Sequence, residues 1–235
     1  MTEIASDGAA ARAPRAAGAQ TLERGLRALQ LLADSPAGLT ATQVAARLDV
    51  HRSVAYRLLQ ALERTGFAAR GDGSRYRVGA GVVALGERVR PGLRQAAEPI
   101  LHDLAERLGA TASLVVRDGD DAVAIAVVEP SHGTHLSYRV GSRGPLDRGA
   151  GSVAVQAAGP VRDDDGARVV AARRSGYVLS SEEVTPGTHA VAAPIRTNHP
   201  DGPAAVNLIT HRRDTAEAAV DAVVAAAARI AAALG

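Results

Sequence analysis

The sequence predicts an α+β protein in two parts: three helices and a hairpin at the amino end, and a sheet covered by helices at the carboxyl end. Three observations carry the prediction. Apolar residues recur at helical spacing in three short segments between residues 22 and 62, and two extended pieces around a glycine-containing turn follow. Beyond residue 93 a helical stripe gives way to alternating β-like segments and further helical ones, the pattern of a helix-covered sheet. The charge is also split: residues 1–90 hold 13 arginines against 8 acidic side chains, and residues 91–235 hold 14 against 17. The first part suits a polyanion and the second does not.

Taken in order, residues 1–20 are rich in Ala, Gly, Asp and Arg, lack the apolar core of a secretory signal, and are expected to form a disordered tail. Leu22, Leu26, Leu29 and Leu32 place one stripe on a first helix, which the Asp34-Ser35-Pro36-Ala37-Gly38 cluster ends. Thr40 is an N-cap for a second helix over 41–48, with Val44, Ala45 and Leu48 facing inward. A third helix runs from Arg52 to Arg64 on the stripe Val54, Leu58, Leu59 and Leu62, and Gly66 stops it. Residues 67–70 and 75–78 flank Gly71-Asp72-Gly73-Ser74 as a hairpin. Three helices and a hairpin make a winged helix-turn-helix over residues 21–79. A linker helix is expected over 80–92, where Pro91-Gly92 reads as the boundary, and a second domain over 93–235.

In that second domain Ile100, Leu101, Leu104, Ala105 and Leu108 mark a helix. Strands are expected at 112–117 and 122–128, and a third over 135–140, where Leu136, Tyr138 and Val140 alternate with His135, Ser137 and Arg139. Helices near 151–158 and 166–174, strands near 176–180, 189–196 and 204–210, and a last helix through Val220 to Leu234 complete a largely antiparallel sheet.

Composition removes several chemistries. Cysteine and lysine are absent, so there is no thiol nucleophile, no disulfide, no Cys-ligated metal, no phosphate-binding lysine loop and no Schiff base. No apolar run reaches the roughly 18–20 residues of a membrane span, so a cytoplasmic protein with no membrane partner is expected. No catalytic residue, cofactor or metal is expected either.

In a helix-turn-helix the second helix carries a small residue where the third crosses it, and the turn needs unusual dihedrals. Ala45 and Asp49 fit those roles. The apolar stripe of the third helix leaves Arg52, Ser53, Tyr56 and Arg57 pointing outward, a set that can take guanine edges and phosphates. Thr42 and Gln43 on the second helix, and Arg70, Arg75 and Arg77 around the hairpin, complete the expected DNA-binding set.

These residues resemble the isocitrate-lyase-regulator (IclR) type of bacterial transcription factors over residues 21–235. The most specific segments are Gly38-Leu39-Thr40 through Leu48, Arg52 through Glu63, Tyr76-Arg77-Val78-Gly79 and Leu85-Gly86, joined by Val140 through Leu146, Gly149-Ala150-Gly151, Arg173 through Tyr177 and Val191 through Ile195. The resemblance implies a homodimer or dimer of dimers on pseudopalindromic double-stranded DNA, and a GAF-like carboxyl-terminal domain that binds a small organic effector and supports oligomerisation. By position, it assigns the effector pocket to Gly151, Ser152, Ser180, Thr188, Ala190 and Asn207. The family often has Asp near 180, Cys at 190 and serines at 207 and 209, where this sequence has Ser180, Ala190, Asn207 and Ile209. A somewhat larger, partly apolar metabolite is therefore expected in place of a small acid such as glyoxylate.

Other readings carry less. Gly79-x-Gly81-x-x-Ala84 looks like a dinucleotide fingerprint, but the strand before it is used by the hairpin and Pro91-Gly92 interrupts the next unit. His132 and His135 lack a carboxylate cluster and read as surface histidines, and Asp163-Asp164-Asp165 reads as a solvated helix start. The alternative from another class is a ligand-sensing scaffold that uses the winged helix for protein contacts; arginines on the exposed helix face and wing argue against it.

Overall fold

The computed structural model describes residues 17–132, 136 and 138–235. The chain divides between Arg88 and Val89 into two compact units. In the first, α1 (Ala17–Ala33) leads to a two-residue strand β1 (Leu39–Thr40), α2 (Ala41–Leu48), α3 (Arg52–Arg64), β2 (Ala68–Arg70), β3 (Arg75–Val78) and a short α4 (Gly81–Gly86). Most of the stretch expected as a tail, residues 1–16, lies outside the described residues, and residues 17–20 are helical.

The core of this unit is small and tight: Ala28, Leu32, Val44, Ala45, Ala55, Leu59 and Tyr76 are all buried. Alanines at 45 and 55 leave no bulk between α2 and α3, so the two helices pack closely. The stripe expected on α1 is only half buried. Ala28 and Leu32 are inside, whereas Leu22 and Leu26 are 64% and 53% exposed. Strand β3 is central in a three-stranded antiparallel sheet of order β1-β3-β2, with Leu39 opposite Tyr76 and Arg70 opposite Tyr76 from the other side. Strand β1 was not expected, because two residues carry no periodicity.

The glycines of the dinucleotide-like fingerprint have a packing cause. A Cβ on Gly79 would stand 2.3 Å from the Gly66 carbonyl oxygen, and one on Gly81 2.8 Å from the same atom. That backbone approach is closed by hydrogen bonds from Gly79 N–H to Phe67 O and Gly81 N–H to Gly66 O.

The second unit opens with α5 (Pro91–Leu108) and continues through β4 (Thr111–Asp118), β5 (Asp121–Val128), β6 (Arg143–Pro145), α6 (Ala150–Ala158), α7 (Ala167–Ser175), β7 (Val178–Ser181), β8 (His189–Ile195), β9 (Ala204–Thr210), α8 (Arg213–Ala218) and α9 (Val220–Leu234). No single helix spans 80–92. Helix α4 stops at Gly86, Arg90 turns left-handed at φ 45°, and Pro91 begins α5. Proline is well suited to a first helical position, where its missing N–H is not needed, so Pro91-Gly92 starts a helix where an interruption was expected.

The sheet has order β6-β5-β4-β9-β8-β7, and every pairing is antiparallel. Alternation along the strands separates two cores. Leu114, Val116, Val191, Ala193, Val206 and Leu208 face α5 and α9, while Val115, Ala192 and Ala205 face α6 and α7. A sheet covered by helices on both faces is the GAF-like α/β architecture. The strand expected over 135–140 is absent among the described residues of that stretch; Gly133, Thr134, His135 and Ser137 lie outside them. Strand β6 instead follows, pairing with β5 through Asp121–Val123. Asp163-Asp164-Asp165 is not simply a solvated helix start, because the Asp165 side chain, 7% exposed, pairs with Arg173 at 2.9 Å.

Candidate nucleic-acid interface and ligand pocket

Helix α2 is held at its start by a reciprocal cap. The Thr40 hydroxyl accepts the Gln43 N–H at 3.3 Å, and the Gln43 side-chain oxygen accepts the Thr40 N–H at 2.9 Å. Gln43, expected on DNA, thus has its oxygen committed, and its amide NH₂ is the part left to reach outward. Asp49 closes α2 in the left-handed region at φ 52°, as the turn requires. Helix α3 then begins at a cap that sequence reading missed: His51 Nδ1 accepts the Ser53 N–H at 3.3 Å and lies 2.8 Å from the Ser53 hydroxyl. Ser53 therefore serves the helix start as well as the outer face.

With Leu58 and Leu59 buried, the opposite face of α3 presents Arg52, Tyr56 and Arg57 to solvent. Neither guanidinium has a hydrogen-bond partner among the described residues, so both remain available to an external acceptor. Thr42 is exposed on the first turn of α2. In the wing, Arg70 donates to the Ser74 hydroxyl at 3.0 Å and its guanidinium carbon lies 5.9 Å from the Tyr76 ring centroid. Arg75 reaches back to the Gly38 carbonyl at 2.9 Å, bracing β3 against the loop before β1. Arg77 is exposed. The structure thus brings Thr42, Arg52, Tyr56 and Arg70 around one notch, while part of Arg75 is structural.

In the second unit, Gly151, Ser152, Ser180, Thr188, Ala190 and Asn207 all line one cavity of about 210 Å³. They come from the first turn of α6, from β7, β8 and β9, and from the loop before β8. Ala150 N–H donates to the Ser180 hydroxyl at 3.1 Å, and the Thr188 hydroxyl donates to the Thr185 carbonyl at 2.6 Å. Ser180 keeps a proton to offer inward, and Thr188 a lone pair. A Cβ on Gly151 would stand 3.2 Å from Asn207 Cγ, so glycine lets the α6 terminus meet β9.

Asn207 is buried and its amide NH₂ donates to the Ser113 hydroxyl at 3.4 Å, while that hydroxyl donates to the Asn207 carbonyl at 3.2 Å. Its side-chain oxygen has no partner among the described residues. A buried acceptor left unmatched costs about 1–3 kcal/mol.

Sequence reading did not find Tyr138, Arg143 or Glu183, which also line the cavity. Burial pushes the Tyr138 phenol up, against a hydrogen bond with Ser113, so it stays neutral. Arg143 is tied to Asp118 at 2.9 Å and Asp121 at 3.0 Å. Burial works against the charged form of Glu183, but the Arg168 guanidinium and the Gly149 N–H outweigh it and hold the carboxyl below its usual range. Both charges of the rim are thus neutralised by neighbours. No spacing signal could have shown these contacts, since each brings together segments distant in the sequence.

Among the described residues no three His, Cys, Asp or Glu side chains gather to hold a metal ion, and no helix is long and apolar enough to cross a membrane. A winged helix-turn-helix with an unpaired basic face, joined in one chain to a sheet domain with a lined cavity, defines the class of DNA-binding transcriptional regulators with a second, pocket-bearing domain. Residues 21–72 match the IclR helix-turn-helix domain, and residues 89–165 match the bacterial transcriptional regulator IclR C-terminal domain.

The chain is 32% identical over 203 residues to the HTH-type transcriptional regulator BhcR of Paracoccus denitrificans, covering 76% of this chain and 72% of that protein. It is 33% identical over 147 residues to an HTH-type transcriptional regulator of Mycobacterium tuberculosis, covering 62% of this chain and 57% of that protein, less than two thirds of its length. A solved IclR homolog from Microbacterium hydrocarbonoxydans, complexed with 4-hydroxybenzoate, shares the fold with a TM-score of 0.78 at 22% identity, covering 91% of this chain and 98% of that one. The chain belongs to the IclR family of bacterial transcriptional regulators.

Proposed function

We propose that this protein is a cytoplasmic regulator that binds a pseudopalindromic operator as a homodimer or dimer of dimers and changes its operator affinity when a small organic effector enters the second domain. The observation that carries the DNA half is the face of α3, where Arg52 and Arg57 stand exposed and unpaired beside Tyr56. Thr42, Gln43, Ser53, Arg70, Arg75 and Arg77 supply phosphate contacts around it. The observation that supports the effector half is the cavity formed by Gly151, Ser152, Ser180, Thr188, Ala190 and Asn207.

The chemistry of that cavity favours a compact, partly apolar occupant. At about 210 Å³ it falls below the roughly 300–1,000 Å³ of drug-sized sites, which trims the expectation of a larger metabolite. Val115, Ala122, Leu136 and Ile209 line an apolar body, and the unmatched Asn207 oxygen asks for a hydrogen-bond donor. The compound bound by the Microbacterium neighbour has an aromatic body and a phenol donor, and so is a sound first probe. Calorimetry with 4-hydroxybenzoate, its donor-free analogue 4-methylbenzoate and succinate tests the reading. Tighter binding of the donor-bearing aromatic acid is expected. Tight binding of succinate with both aromatic acids inert would overturn it.

A further inference from the structure

Between the wing and the two helices of the reading motif lies a notch of about 270 Å³, lined by Thr40, Ala41, Thr42, Arg52, Tyr56, Arg70, Ser74 and Tyr76. Its floor holds an unexplained group. Tyr76 is 1% exposed, and its hydroxyl is buried with no hydrogen-bond partner among the described residues. A ring in that position packs against Ala55 and Leu59 as well as phenylalanine would, so the core gains nothing from the hydroxyl and bears the cost of its desolvation.

The surroundings of that hydroxyl fit one kind of ligand. Arg52 and Arg70 are the charged side chains of the lining, and both are cationic. The first turn of α2 lines the notch through Thr40, Ala41 and Thr42; Thr40 caps the Gln43 N–H, and the Thr42 N–H belongs to the turn whose donors have no intrahelical acceptor. N–H groups at a helix start attract an anion. The Tyr76 phenol is held protonated by burial above all, with Glu63 adding to the effect and Arg70 opposing it, so it can only donate to an anion. The lining thus carries two cations, hydroxyls able to donate, and no carboxylate.

We propose that this notch is a clamp for one phosphate of the DNA backbone, held by the Thr42 N–H, Arg70 and the Tyr76 hydroxyl, with Arg52 at its edge adding positive field while its guanidinium reaches the bases. The inference rests on the DNA-binding reading and adds a positioning residue, Tyr76, that fixes the wing on the backbone. The wing then sets the register of α3 without reading sequence. Binding a phosphate relieves the orphaned hydroxyl, which links a strained feature of the free domain to its ligand.

The test uses the full chain, a random-sequence 30-base-pair duplex and the protein's own upstream intergenic DNA, with affinity measured by anisotropy across a salt series and Tm by calorimetry. Tyr76→Phe removes only the hydroxyl. Its expected effect is an affinity about three- to tenfold lower on both duplexes, an unchanged slope of log affinity against log salt, and a Tm equal to or above wild type. Arg70→Gln is expected to lower the slope by about one, the loss of one phosphate-neutralising charge. If Tyr76→Phe binds as well as wild type while Arg70→Gln is impaired, the clamp is overturned and DNA binding stands. A Tyr76→Phe loss confined to the upstream DNA also overturns it, because the hydroxyl would then read a base. Wild type that binds neither duplex overturns the DNA-binding reading itself.

Discussion

Gly79 sits where a Cβ would meet the Gly66 carbonyl oxygen at 2.3 Å, a backbone contact that no side-chain rotation can relieve. Gly79→Ala should therefore destabilise the first unit by about 1–3 kcal/mol, the usual range for forced overpacking, as read by urea unfolding. At this scale the sequence was informative wherever a residue's role follows from its immediate neighbours. Arg52, Tyr56 and Arg57 face outward because Leu58 and Leu59 face inward, and Asp49 takes the left-handed turn that its short polar side chain tolerates. It was silent where a role depends on distant chain. Tyr76 reads as an ordinary alternating strand residue, and Glu183 reads as a loop carboxylate until Arg168 and Gly149 N–H are seen on either side of it. The pocket residues came from resemblance, since Ser180, Thr188 and Asn207 share no spacing that would unite them.

The elements with several turns of periodicity were legible, and the short ones were not. Helix α3 has the bounds its stripe implied, Arg52–Arg64. Strand β1 has two residues and no pattern of its own; it exists because β3 has a free edge beside it. The alternation at 136–140 was misleading because Leu136 is buried while Val140 is 63% exposed, so no single apolar face runs through it. Two predictions belong here. Thr40→Ala removes half of the reciprocal cap on α2 and should cost the first unit about 1 kcal/mol in chemical unfolding. Glu183 ties the loop after β7 to the α6 terminus and to α7, and its carboxyl is held below the ordinary value of 4.5. A group whose pKa is depressed by folding adds stability above its unfolded pKa and loses it as pH falls. The Tm gap between wild type and Glu183→Gln should thus be full at pH 6–8 and close as pH drops below about 4. A gap that persists unchanged at pH 3 would show that the ion pair is not its source.

Across the whole molecule the charge split and the two sets of apolar patterning agree: a basic helical unit and an acidic, helix-covered sheet. The amino-terminal part joins a compact apolar core to an α3 face whose Arg52 and Arg57 have no partner among the described residues, and the carboxyl-terminal part encloses a cavity with an acceptor unmatched among them. The chain divides between Arg88 and Val89, and Pro91-Gly92, with the composition of a break, has the geometry of a helix start. The proposed role of the first unit rests on α3, whose exposed Arg52, Tyr56 and Arg57 are set to read DNA. It is tested most directly by binding of wild type and an Arg52→Ala, Arg57→Ala double variant to the protein's own upstream DNA across a salt series, with random duplex as competitor. Selective wild-type binding that weakens steeply with salt is expected. In the variant that selectivity should be lost at an unchanged Tm. A variant that still prefers the upstream DNA as strongly as wild type would contradict it.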